Sequence, residues 1–134
     1  MRAAYLAAAL AAALSAGSCQ RVEPIQNVDD RPITGLSRPL TVDQVESAIA
    51  AAGVRRGWVF TRVQPGMLRG THSDGGHTLV LDVPFDATRY SIRVNSSTRM
   101  LESEGQIHRT ANRWIRYLQQ DIDAELARAS ISPS

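Results

Sequence analysis

The stretch His77-Thr78-Leu79-Val80-Leu81-Asp82-Val83 alternates two kinds of side chain, and Arg89-Tyr90-Ser91-Ile92-Arg93-Val94 repeats the alternation after the break at Pro84 to Ala87. Successive side chains of an extended chain point to opposite faces, so each run presents one apolar and one largely polar side, as expected of half-covered antiparallel strands. Upstream, Trp58 to Val63 and Met67 to His72 are further β-rich runs, separated by the turn formers Gln64-Pro65-Gly66 and Ser73-Asp74-Gly75-Gly76. Runs of this length joined by such short connections predict a four-stranded antiparallel meander. The turn at Ser96-Ser97 leaves room for a short fifth strand around Arg99 to Glu102.

A helix is expected on either side of the meander. Thr41-Val42-Asp43-Gln44 has the layout of a capping box, with Leu40 and Val45 placed as a hydrophobic staple. The first helix therefore begins near Val42, carries Val42, Val45, Ile49 and Ala52 on one stripe, and stops at Gly53. Downstream, Ile107, Ala111, Trp114, Ile115, Leu118, Ile122 and Leu126 recur at three- and four-residue spacing, while Arg113, Arg116, Gln119, Asp121 and Asp123 occupy the solvated side. The expected fold class is α+β in the order α-β-β-β-β-α, with both helices packed on the apolar face of the sheet over residues 41–129. Residues 130–134 read as a tail.

The N-terminus has a different character. Met1 and Arg2 make a short positive segment, Ala3 to Leu14 an apolar one, and Ser15 to Ser18 a run of small residues ending at Cys19. This is the arrangement of a secretory signal over residues 1–18. Twelve apolar residues make a helix of about 18 Å, short of the ~30 Å hydrocarbon core, so a permanent span is not expected. Leu14-Ser15-Ala16-Gly17-Ser18-Cys19 resembles the lipobox of bacterial lipoproteins, in which the cysteine is lipidated and becomes the mature N-terminus. The resemblance implies a membrane anchor at Cys19, and Gln20 after it implies, by the lipoprotein sorting rule, the outer membrane facing the periplasm. Ala16 stands where that family usually has leucine, and Ala16-Gly17-Ser18 would equally serve a cleavage that releases a soluble periplasmic protein. Residues 19–40, with Pro24, Pro32, Pro39 and Gly35, read as a lipidated start and flexible tether. Ile25, Val28 and Ile33 leave open that part of it docks as an edge strand.

The chain carries 15 basic and 13 acidic residues, a formal charge of +2, which is too balanced for a dedicated nucleic-acid binder. All of the basic residues are arginine, so each cation is a planar, bidentate partner for carboxylate or phosphate. Cys19 is the only cysteine, which excludes an intramolecular disulfide.

The order Asn27-Val28, Ala48-Ile49, Arg56-Gly57-Trp58, Pro65-Gly66, His77, Tyr90-Ser91-Ile92, Ser96, Ile107-His108 and Asn112-Arg113-Trp114-Ile115 resembles a family of small proteobacterial lipoproteins of uncharacterised activity. The resemblance spans nearly the whole mature chain and implies an envelope lipoprotein; it supplies no reaction, ligand or catalytic residue. That pattern commonly has a tyrosine before the helix asparagine and an aspartate before the turn serine, where this chain has Ala111 and Asn95. An activity resting on those two side chains would be missing here.

Three constellations are candidates for chemistry. His72 and His77 flank Ser73 to Gly76 and would face each other across a four-residue loop, within reach of one metal ion if Asp74 or His108 supplied a third ligand. Arg69, Arg89 and Arg93, with Arg62 if its strand has the right phase, would project from the open sheet face around Asp82, either as an anion- or partner-binding patch or as cross-strand ion pairs. Trp58 and Phe60 would sharpen that patch if they lay beside the arginines, or lock helix to sheet if they turned inward. His108 and Asn112, four apart on one helix face, could orient a ligand or bond loop carbonyls. No nucleophile-elbow pattern accompanies them. The composite expectation is a non-enzymatic, membrane-anchored module needing no cofactor, whose partner is an envelope protein or an anionic glycan or lipid. The alternatives are a periplasmic metal-binding protein and a small envelope hydrolase.

Overall fold

The computed structural model describes residues 21–132. The expected signal segment and Cys19 lie outside the described residues. The elements follow the order β1 (Val22–Pro24), β2 (Val28–Pro32), α1 (Val42–Val54), β3 (Val59–Gln64), β4 (Met67–Asp74), β5 (His77–Pro84), β6 (Arg89–Thr98), β7 (Gln106–His108) and α2 (Arg109–Ile131).

Strands β3 to β6 form the expected meander, with β2 added beyond β6 in a five-stranded antiparallel sheet of order β2-β6-β5-β4-β3. Strands β1 and β7 pair antiparallel as a second, two-stranded sheet. The register shows how the alternation is used. Leu79, Leu81 and Val83 are fully buried, with Gly70 opposite Leu81 and Leu68 opposite Val83. The intervening residues form an open face on which Arg69, Asp82 and Arg93 occupy one cross-strand row. A bulge between Val80 and Leu81 restores the inward phase of β6, bringing Val94 opposite Leu81.

Both helices cover the apolar face. Val45, Ala48, Ile49 and Ala52 of α1 and Ala111, Ile115, Leu118, Ile122 and Leu126 of α2 join the sheet residues in one core. The capping box is present, with Thr41 Oγ1 accepting from the Gln44 amide at 3.2 Å and Gln44 Oε1 accepting from the Thr41 amide at 2.9 Å. Phe60 explains two glycines. Its ring lies where a Cβ on Gly70 would come within 2.6 Å and one on Gly53 within 2.3 Å, so α1 and β4 approach the ring only because neither carries a side chain there.

Three expectations are corrected. Most of 19–40 is no tether, because β1 and β2 are paired strands and Ile25, Val28, Ile33 and Leu36 pack against the core. The apolar residues among the prolines outweigh the breaker signal, and Pro24 and Pro32 stand at strand ends, where the missing N–H is tolerated. The fifth strand is therefore β2 at the far edge; Arg99 to Glu102 form a connection whose left-handed backbone at Arg99 and Leu101 breaks the extended run. The chain end at 130–131 is not a tail either. Ser130 is buried in the last turn of α2, accepting from the Ser37 amide at 3.0 Å and donating to the Ala127 carbonyl at 2.7 Å.

Candidate functional site

On the open face, the arginine row is largely satisfied from within. Arg69 Nε donates to Asp82 Oδ1 at 2.8 Å and Asn95 Nδ2 donates to Asp82 Oδ2 at 2.9 Å. Burial alone would push the Asp82 pKa up, but these two bonds and the Arg69 charge outweigh it and hold the carboxyl below its ordinary value. Arg93 faces Asp82 in register yet turns to Asp29, 3.1 Å away. Arg89 donates to the Asp30 carbonyl at 3.2 Å. Arg62 does not belong to this face: it leans from the outer strand to Glu46 of α1 and pairs with it. The expected patch is thus three arginines, of which two hold carboxylates. Asp29 and Asp30 went unrecognised as partners because the segment that carries them reads mainly as a tether, with an edge strand only left open.

The histidine pair does not form. The β4–β5 connection is a two-residue turn at Gly75-Gly76, both with positive φ, so Asp74 lies opposite His77 and His72 lies opposite Leu79. His72 sits on the helix side, 5.2 Å from the Trp58 ring and edge-on to Trp114 at 4.5 Å. Among the described residues, no group of three or more His, Cys, Asp or Glu could hold a metal ion. Trp58 is buried in the core and Phe60 packs against it, while Val59 and Val63 face outward, so the aromatics lock helix to sheet and do not accompany the arginines.

At the start of α2, Asn112 is fully buried and fully bonded. Its Oδ1 accepts from the Gln26 amide at 2.9 Å, and its Nδ2 donates to the Pro24 carbonyl and to Glu23 Oε1, both at 2.9 Å. Asn112 therefore ties β1 to the helix, taking the alternative of bonding backbone groups near the sheet end and not that of facing a ligand. His108 caps α2, with Nδ1 accepting from the Thr110 amide at 3.1 Å. Its pKa is lowered by burial first and then by the charges of Arg109, His77, Arg21 and Arg113, a group of basic residues gathered around the helix start. A cleft of ≈ 230 Å³ beside it is lined by Asp74, His77, Met100, His108, Thr110 and Trp114.

A larger groove of ≈ 440 Å³ runs between α1 and the end of α2, floored by Ala48, Ala51 and Ala129 and rimmed by Arg38, Asp43, Glu125 and Arg128. Ser47 and Ser132 also line it, Arg128 pairs with Glu125 at 2.8 Å, and Arg38 donates to the carbonyls closing α2. No family model, no curated protein and no solved structure matches the chain.

Proposed function

We propose that this chain is a bacterial envelope lipoprotein, anchored through lipid on Cys19 and acting as a non-enzymatic binding or structural module at the periplasmic side of the outer membrane. The observation that carries the reading is the position of the sole cysteine: it follows an apolar leader and a run of small residues, and the first strand begins at Val22, just beyond it. Arg69 and Arg93 of the open face pair with Asp82 and Asp29, which supports a structural use of those two cations. Two or three acyl chains at ~0.8 kcal/mol per buried CH₂ would hold such a domain at a bilayer, where a single chain binds only marginally.

Mass spectrometry of the N-terminal peptide from protein expressed in a Gram-negative host tests this reading. Cys19 is expected as the first residue, carrying a diacylglycerol thioether, with Cys19→Ser protein remaining unprocessed. An unmodified Cys19, or a mature chain starting elsewhere, would replace the anchored protein with a released periplasmic one.

A further inference from the structure

The 14 arginines among the described residues fall into two groups. Seven pair with carboxylates, while Arg38 and Arg89 hold backbone carbonyls. The five others, Arg21, Arg99, Arg109, Arg113 and Arg116, pair with no carboxylate among the described residues, and all are exposed. They are not scattered. Arg109, Arg113 and Arg116 recur at helical spacing along one side of α2. Arg21 is joined to the first of them, because its carbonyl accepts from the Arg109 amide at 2.8 Å. Arg99 reaches the Gly76 turn, adjacent to the cleft that His77 and His108 line. The N-terminal end of the α2 dipole adds a partial positive charge to the same end.

Acidic residues near this end are Glu23, Glu102, Asp74 and Glu104. Glu23 is turned inward to Asn112, and Glu102 accepts from Ser97 Oγ at 2.6 Å. Asp74 lies at the hairpin tip, across the cleft from His108 and on the Arg99 side of it, and Glu104 in the connection beyond the far end of the β1–β7 ladder. The immediate surroundings of the chain entry are thus Arg21, Arg109 and Arg113.

The place where the chain enters decides what this charge meets. Arg21 is held by the backbone bond to α2, and two further residues cannot span more than about 7 Å. A lipid on Cys19 would leave no long spacer between bilayer and domain, unlike the flexible tether expected over residues 19–40. We infer that the Arg21, Arg109 and Arg113 surface rests against anionic phospholipid headgroups of the membrane that holds Cys19, fixing the orientation of the domain with the open face of its sheet left accessible. The inference rests on the proposed anchoring, and its test replaces the natural anchor so that the two can fail separately.

The chain from residue 19 onward is coupled through Cys19, its only cysteine, to a maleimide-bearing lipid in vesicles of phosphatidylcholine alone or with about 30% phosphatidylglycerol, a charge density at which each surface arginine matters. Arginine-selective labelling with phenylglyoxal is then read residue by residue by mass spectrometry. Arg21, Arg109 and Arg113 are expected to react several-fold more slowly on the anionic vesicles than on the neutral ones, with Arg55 and Arg128 reacting equally on both. In a second arm the chain, alkylated at Cys19, is sedimented with anionic vesicles; Arg109→Gln combined with Arg113→Gln should lower its partition about 25-fold, roughly fivefold for each charge. Equal reactivity on both vesicles overturns the inference, as does protection by a soluble anionic polysaccharide with none by the vesicles. An unlipidated Cys19 in cells together with protection on the vesicles would remove the anchor and keep the surface.

Discussion

Tyr90 Oη donates to Asp123 Oδ1 at 2.6 Å, and the same carboxylate takes a bidentate pair from Arg31 through Nε at 3.0 Å and Nη2 at 2.7 Å. One carboxylate on α2 thereby joins β6 and β2, the strand that completes the sheet. Burial first, and then the bond to Asp123, pushes the phenol pKa far up, which favours Tyr90 as a neutral donor. Tyr90→Phe removes one hydrogen bond to a charged group while leaving Arg31 in place. A loss of about 1.5 kcal/mol in urea unfolding is expected, and Arg31→Ala combined with Tyr90→Phe should show coupling, since both share one acceptor.

Phe60 between Gly53 and Gly70 gives a packing test. Gly70→Ala places a methyl against the ring and should cost about 1–3 kcal/mol in thermal or urea unfolding, by overpacking. The same substitution in a Phe60→Leu background should cost markedly less, because the smaller side chain can yield. Equal costs in the two backgrounds would mean that the glycine serves the strand itself and not the ring.

Asn112 tests whether residues 22–26 are part of the domain. Asn112→Ala leaves the Gln26 amide and the Pro24 carbonyl without their partner. A destabilisation of about 2 kcal/mol is expected, two part-buried groups at ~1–3 kcal/mol each being partly rescued by solvent. Hydrogen exchange should show β1 opening faster while the β4–β5 ladder keeps its protection. A segment that is only a tether would show neither effect.

His108 should make stability depend on pH. Its pKa in the folded protein lies below the ordinary 6.5, so the folded state binds fewer protons than the unfolded one once pH falls under that value. The contribution is full above 6.5 and is lost as pH falls through the folded pKa, because a protonated Nδ1 can no longer accept from the Thr110 amide. Unfolding midpoints measured from pH 7.5 down to 5 should fall, by up to about 1 kcal/mol for the loss of a cap. In His108→Asn, which caps without titrating, that part of the slope should vanish.

The meander and both helices were legible because their information is local. A period of two in His77 to Val83, a period near 3.6 from Ile107 to Leu126 and a capping box at Thr41 each reside within a few consecutive residues. One apolar face on the sheet and one apolar stripe on each helix then leave the two-layer packing as the economical burial. What the sequence could not disclose was every pairing between distant segments. Residues 22–32 carry prolines and little periodicity, and become β1 and β2 only because β7 and β6 offer them partners. The two histidines were parted by a single turn geometry: a two-residue connection at Gly75-Gly76 shifts the register and sends His72 to the tryptophans. The arginines likewise have one chemistry in sequence and two fates in space. Whether a guanidinium is matched or left for a partner depends on which carboxylate the fold brings within hydrogen-bonding reach, and that distance exists only once the chain has closed on itself.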